Sequence, residues 1–160
     1  MIFCTVGTHE DLFDRLVRAL DAIEDEPVII QSGYATYACT RAKAVPMMAF
    51  GEVQEHMARA RVVVTHGGPA SIMQALSHGR VPIVVPRQSK FGEHVDDHQV
   101  RFSRRIADRV VVVLDIAELP AAIRDHAERV RGLAGGSFGP ERARAFAEKL
   151  DGLCEGLFRR

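Results

Sequence analysis

Short β-branched runs alternate along the chain with longer stretches whose apolar residues recur every three or four positions. This is the sequence form of repeated strand–helix units around a parallel sheet. Ile2 to Val6 reads as the opening strand, followed by a turn at Gly7-Thr8-His9. From Asp11 to Ile23, the residues Leu12, Phe13, Leu16, Val17, Leu20 and Ile23 share one helical face while Asp14, Arg15, Arg18 and Asp21 fall elsewhere, which predicts a helix packed on the sheet. Pro27 to Ser32 is a second strand, a loop of small and aromatic residues runs from Gly33 to about Ala44, and Val45 to Phe50 is a third strand. A short helix is expected over Val53 to Arg59. Val62 to Thr65, continuous and β-branched, has the composition of a strand buried on both faces. His66-Gly67-Gly68-Pro69 must then turn the chain into a helix over Ala70 to Ser77, since proline suits a first helical turn and Gly79 suits the far end. Pro82 to Val85 is a further strand and Pro86 to Glu93 a loop. A helix over Val95 to Ile106, a strand at Val110 to Leu114 and helices over Ile116 to Arg131 and Pro140 to Phe158 complete the pattern. The last two helices are separated by a glycine-rich linker, Gly132 to Gly139. The predicted fold is α/β, a Rossmann-like parallel sheet with helices on both faces.

Composition narrows the picture. With 160 residues, 47% hydrophobic and 26% charged, the chain suits one compact domain and is too short for two sizeable ones. Twenty-one Lys and Arg balance twenty-one Asp and Glu, so bulk charge supplies no drive toward nucleic acid or an anionic membrane surface. The apolar runs fall far short of the ~20 residues that span a bilayer, and the N-terminus lacks the pattern of a secretory signal. Cys4, Cys39 and Cys154 form no Cys-x-x-Cys pair; an odd number without such spacing fits a reducing cytoplasm better than a disulfide framework or a zinc site.

Loops that follow parallel strands gather at the carboxyl edge of the sheet, where open α/β folds bind ligands. Three of these loops carry chemistry. In Val6-Gly7-Thr8-His9-Glu10, Gly7, Thr8 and a helix start could present N–H groups to a phosphate; the plainer reading is a tight strand-to-helix turn capped by Thr8 or Asp11. Gly7 stands alone where a dinucleotide fingerprint needs three glycines, which disfavours NAD. In Thr65-His66-Gly67-Gly68-Pro69-Ala70-Ser71, the paired glycines permit close approach of a ligand, the helix N-terminus favours negative charge and Ser71 offers a hydroxyl. A diphosphate is the natural occupant, the alternative being a sharp turn with His66 as a buried, hydrogen-bonded imidazole. A branched side chain at Gly68 is expected to fill the phosphate's space and to oppose any positive φ. Gln74, one turn beyond Ser71, either reaches a ribose hydroxyl or is a solvated helix position. In the third loop, Arg87 to Gln99, Asp97 and Gln99 suit vicinal sugar hydroxyls, because a carboxylate accepts and an amide both donates and accepts. His94, Asp96, Asp97 and His98 are all able to bind a metal, but a helix starting near Val95 would point adjacent residues about 100° apart. No metal site is therefore expected there, and a polar helix start is the remaining reading.

Together, Val6-Gly-Thr-His-Glu10 with Phe13-Asp-Arg-Leu16, Gln31-Ser-Gly-Tyr34, Val64-Thr-His-Gly-Gly-Pro-Ala-Ser-Ile72, Pro82-Ile-Val-Val-Pro-Arg87 and Glu93-His-Val-Asp-Asp-His-Gln99 resemble the C-terminal domain of glycosyltransferase family 28. The chain is most similar to the small split glycosyltransferases of bacterial polysaccharide synthesis. The resemblance covers at least Met1 to about Leu114. It implies the C-terminal half of a GT-B glycosyltransferase: a single nucleotide-sugar-binding domain over residues 1–160 that acts with a membrane-anchored acceptor-domain subunit. It also implies that Gly7, Thr8, His66, Gly67, Gly68 and Ser71 hold the donor diphosphate and that Asp97, His98 and Gln99 contact the donor sugar. Relatives commonly hold the ribose with a glutamate where this chain has Gln74.

The resulting expectation is a hexosyltransferase taking a UDP-sugar to a lipid-linked acceptor in exopolysaccharide or capsule synthesis, without cofactor or nucleic acid. Such a chain would be cytoplasmic and recruited to the inner membrane face by its partner. No metal is required in principle, because helix N-termini and amides can stabilise the departing diphosphate. His9 is the candidate general base from this chain. The stripe Phe146, Leu150, Leu153 and Leu157 on the last helix, residues 140–158, would pack on the domain or on the partner. The alternative is a nucleotide-binding regulatory module without catalysis, with a hydrolase built on the His/Asp cluster a more distant third.

Overall fold

The computed structural model describes residues 1–133, so the helix expected over 140–158, its apolar stripe and all but the first two residues of the linker lie outside the described residues. Six parallel strands form one sheet in the order β3-β2-β1-β4-β5-β6. They are β1 Ile2–Thr5, β2 Val28–Gln31, β3 Lys43–Val45, β4 Val62–Thr65, β5 Ile83–Val84 and β6 Val111–Val112. The helices are α1 Asp14–Asp21, α2 Phe50–Arg59, α3 Pro69–Ser77, α4 His98–Arg105, α5 Leu119–Arg124 and α6 His126–Arg131. Strand order reverses between β1 and β4, whose registers align Ile2 with Val62 and Thr5 with Thr65. The crevice above that point is where doubly wound sheets take ligands.

Burial on both faces explains why the strands read as continuous apolar runs. Ile2, Cys4 and Val6 point with Val62 and Val64 into a core closed by Phe13, Leu16, Val17 and Leu20 of the α1 region and by Leu119 and Ile123 of α5. Phe3 and Val63 point the other way, against Val53 and Met57 of α2 and Ala75 of α3. Successive residues of one strand thus serve opposite layers.

Several boundaries move from their predicted places. The third strand is Lys43–Val45 rather than Val45 to Phe50. Pro46 has no N–H to offer a ladder, and the chain leaves the sheet there, with Phe50 opening α2 three residues before the expected start. The helix expected over Ile116 to Arg131 is a 3-10 turn at Ile116–Glu118 followed by two helices that meet at Asp125. His126 accounts for the break, since its ring bonds the Val81 carbonyl at 2.9 Å and commits the second helix to the start of β5.

Candidate functional site

The loop after β1 turns at Gly7, whose φ of 79° is a left-handed conformation that favours glycine. Its amide donates to Thr5 Oγ1 at 3.2 Å, and that hydroxyl donates to Gln31 Oε1 at 2.8 Å. A Cβ on Gly7 would stand 2.6 Å from His66 Nε2. The turns after β1 and β4 therefore touch through a glycine and an imidazole, while Thr8 and His9 lie exposed at the rim.

The His66 turn is wired internally. Gly67 N–H donates to Gln99 Oε1 at 3.0 Å, and Gly68 N–H donates to His66 Nδ1 at 3.0 Å. Burial, aided by the Arg87 cation, lowers the His66 pKa from 6.5 to about 4, so the ring is neutral at pH 7. With Nδ1 accepting, the proton resides on Nε2, which donates to Ser71 Oγ at 3.2 Å. The Ser71 hydroxyl hydrogen is thereby left to point elsewhere. Gly68 has φ −77°, not a positive value, and a Cβ there would stand 2.1 Å from His66 Cε1. The expected left-handed strain at Gly68 is absent, and the His66 ring is what demands glycine. Both glycine amides being engaged, the next donors are the amides of Ala70 and Ser71. Both lie in the first turn of α3, where amides lack an intrahelical acceptor. Gln74 follows one turn on; its amide nitrogen is buried and finds no partner among the described residues.

The third loop is anchored by Arg87, which is 1% exposed. Its guanidinium donates to the carbonyls of Val6 (3.1 Å), Asp11 (2.7 Å), Leu12 (3.3 Å) and Glu93 (3.2 Å), with the Phe13 ring 4.7 Å away. Glu93 forms a two-pronged pair with Arg15, at 2.8 and 2.9 Å, and accepts from the Gln88 amide. Gln99 is buried, and its Oε1 accepts from Arg87 N–H at 3.2 Å as well as from Gly67. It ties the β4 and β5 loops together. Asp97 Oδ1 accepts from the Ser89 amide and hydroxyl at 2.8 and 3.0 Å, and His98 lies exposed beside it as the first residue of α4.

The exclusion of a metal on grounds of geometry does not hold. Helix α4 begins at His98, not near Val95, which is 88% exposed. Residues 94–97 are non-helical, and His94, Asp96 and His98 bring one ligand atom each within 4.8 Å of the others. The His94 ring packs 4.6 Å from that of His9 and 4.4 Å from that of His98. Burial, with His98 and His9 nearby, holds the His94 pKa below its ordinary value. His9 itself accepts from the Asp11 amide at 3.2 Å and lies 3.5 Å from the Asp11 carboxylate.

Polar residues that periodicity placed off the core face have structural roles. Asp21 is 3% exposed and collects the amides of Thr40, Arg41 and Ala42 and the Tyr37 hydroxyl. Burial alone would raise its carboxyl, but those donors outweigh it and hold the pKa far below the usual range. Asp14 receives the Thr36 and Tyr37 amides in the same way. A carboxylate facing a run of small and hydroxyl residues was the available signal, but the contact spans some twenty residues and has no local period.

No helix among the described residues is long and apolar enough to cross a membrane. Among solved structures, the fold is similar to that of CalG4, the calicheamicin glycosyltransferase, with 20% identity and a TM-score of 0.56 over 96% of this chain and 43% of that one. The glycotransferase of kitacinnamycin gives 20% identity and 0.54, over 92% and 43%. The chain thus spans less than half the length of these two enzymes. No curated protein matches it. The architecture is that of the C-terminal half of GT-B glycosyltransferases. The model of the glycosyltransferase family 28 C-terminal domain matches residues 1–131, across all three loops, and the chain belongs to that family.

Proposed function

We propose that the chain is the donor-binding catalytic subunit of a two-chain glycosyltransferase, one of the small split enzymes of bacterial polysaccharide synthesis. It would move a hexosyl unit from a UDP-sugar to a lipid-linked acceptor in exopolysaccharide or capsule synthesis. The observation that carries this reading is the turn from His66 to Ser71 at the start of α3, beside the Gly7 turn and over the point where strand order reverses. Diphosphate charge is met there by the helix N-terminus, the Ala70 and Ser71 amides and the Ser71 hydroxyl. Gly7, Thr8, Gly67 and Gly68 are assigned to the walls of the diphosphate site, the three glycines leaving room for the His66 ring and Gln99 that shape it, and His66 fixes Ser71 through its Nε2 proton.

Donors aimed at a departing diphosphate stabilise charge as it develops, which is where such groups speed transfer most. Asp97, His98 and Gln99 are assigned to the sugar, Gln99 also holding their loop to the phosphate turn through its Oε1, and Gln74 is assigned to the ribose. His9, exposed at the rim beside Asp11, is assigned as the base that takes the acceptor hydroxyl's proton. The two-chain arrangement, the membrane-anchored acceptor subunit and recruitment to the inner membrane face rest on the likeness of the loop motifs to the split enzymes. Titration of UDP against the folded chain tests the donor site. Chemical-shift changes at the Gly7, Ala70 and Ser71 amides are expected, and their absence at millimolar nucleotide would overturn it. Copurification with the partner, followed by a donor screen, tests the rest.

A further inference from the structure

We propose that His94, Asp96 and His98 form a site for a divalent transition-metal ion of the zinc class at the carboxyl edge of the sheet. Two imidazoles and one carboxylate are the donor set of many sites that leave positions open to water, and imidazole selects zinc, nickel, copper or iron over magnesium or calcium. The three residues occupy alternate positions of an irregular stretch that ends as α4 begins, and their ligand atoms already lie within 4.8 Å of one another. A second observation points to the same place. His94 Nδ1 is buried without a hydrogen-bond partner among the described residues, on a side chain 11% exposed, and lies 3.9 Å from Asp96 Oδ1. A donor atom removed from water and left unsatisfied costs stability unless something binds it.

His98 Nδ1 and Asp96 Oδ1 are hydrogen-bonded at 2.5 Å. A tetrahedral ion with bonds of ~2.0–2.1 Å holds its ligand atoms about 3.3 Å apart, so it would take the bonding proton's place while the pair opens by less than about 1 Å. Asp96 Oδ2 accepts from Arg101 at 3.1 Å, an outer contact that orients the carboxylate. The His9 ring against His94 joins the site to the β1 loop. The ion is assigned no step in sugar transfer; bound here, it fixes the stretch from His94 to His98, whose first ring rests on that of His9.

Cobalt(II) absorption titration of the full chain without a histidine tag, in the absence of nucleotide, tests the site independently of the donor assignment. Zinc competition then reports affinity. One equivalent is expected, with visible d–d bands and no thiolate-to-cobalt charge transfer. His98→Ala, a change at an exposed position, and Asp96→Asn should each weaken binding by more than the roughly 10- to 100-fold that loss of an outer contact costs. Absence of binding, a thiolate band, or unchanged affinity in both variants would overturn the proposal.

Discussion

The two edges of this sheet carry similar side chains and use them differently. At the amino edge, Glu26 pairs with the chain's amino group at 3.0 Å and with Arg61, while Arg80 donates to the Ala58 carbonyl at 2.5 Å. Arg61, Arg80, His126 and Arg131 line a cavity of about 470 Å³. Helices α2 and α3 end at this edge, where Arg59 in the last turn of α2 and Arg80 just beyond α3 lie near carbonyl ends that carry partial negative charge. At the carboxyl edge α1, α3 and α4 begin. There Arg87 and Gln99 are buried, and their bonds join residues far apart in the chain, such as Val6 with Arg87 and Gly67 with Gln99. Charged residues at a sheet edge therefore do not locate a site by themselves. Strand direction decides which edge offers amides to an anion, and the buried cross-loop bonds show which edge is held in a fixed shape.

The sharpest way to break the contrast is to remove its anchor. Arg87→Met strips donors from four carbonyls, those of Val6 and Glu93 in buried bonds, and should destabilise the fold by roughly 3 kcal/mol or more in urea unfolding. Gly68→Val should come next. The added Cβ drives into the His66 ring and displaces the Ser71 hydroxyl, so UDP affinity should fall about a hundredfold, or ~2.7 kcal/mol, in a calorimetric titration. Retained affinity would show that the turn is only a turn.

Acidification sharpens the comparison through His66. Its folded pKa is about 4, below the ordinary 6.5, so between those values the unfolded chain binds more protons. Stability is then full above pH 6.5 and is lost as pH falls toward 4. Between pH 7 and pH 5 the loss should be roughly 2 kcal/mol. His94 and His126, also depressed by burial, act in the same direction, and a His66→Gln variant should show a shallower slope in unfolding measured at both pH values. Asp97→Ala, in the copurified complex, should lower turnover about tenfold, or ~1.4 kcal/mol, while UDP affinity holds; unchanged turnover would remove Asp97 from the sugar site. Arg61→Ala at the amino edge breaks a half-exposed pair and should cost less than about 1 kcal/mol. A larger loss would erase the difference between the edges.

Five of the six strands, the helix faces and the three loops were legible in the sequence because each has a local signature, whereas β3 at Lys43–Val45 was not. Val62 to Thr65 shows β-branched continuity, Phe13 to Leu20 a helical period, and Gly67-Gly68-Pro69 the chemistry of a turn into a helix. Element order then places all the loops at one edge without coordinates, since parallel strands must all return through helices to the same side. What tertiary structure alone decided are the couplings between loops. Nothing local marks Arg87 as buried, Gln99 as a tie between the β4 and β5 loops, or Asp21 as an anchor for residues 40–42. Each satisfies backbone groups brought near only by folding. The glycine at 68 was legible as a requirement but not in its cause, which is the His66 ring rather than backbone handedness. The start of α4 was decided in the same manner. Asp96 could equally have lain within the helix, and only the Ser89 bonds to Asp97, together with the loop's attachment to Arg87, delay the helix to His98 and leave two imidazoles and a carboxylate facing one another.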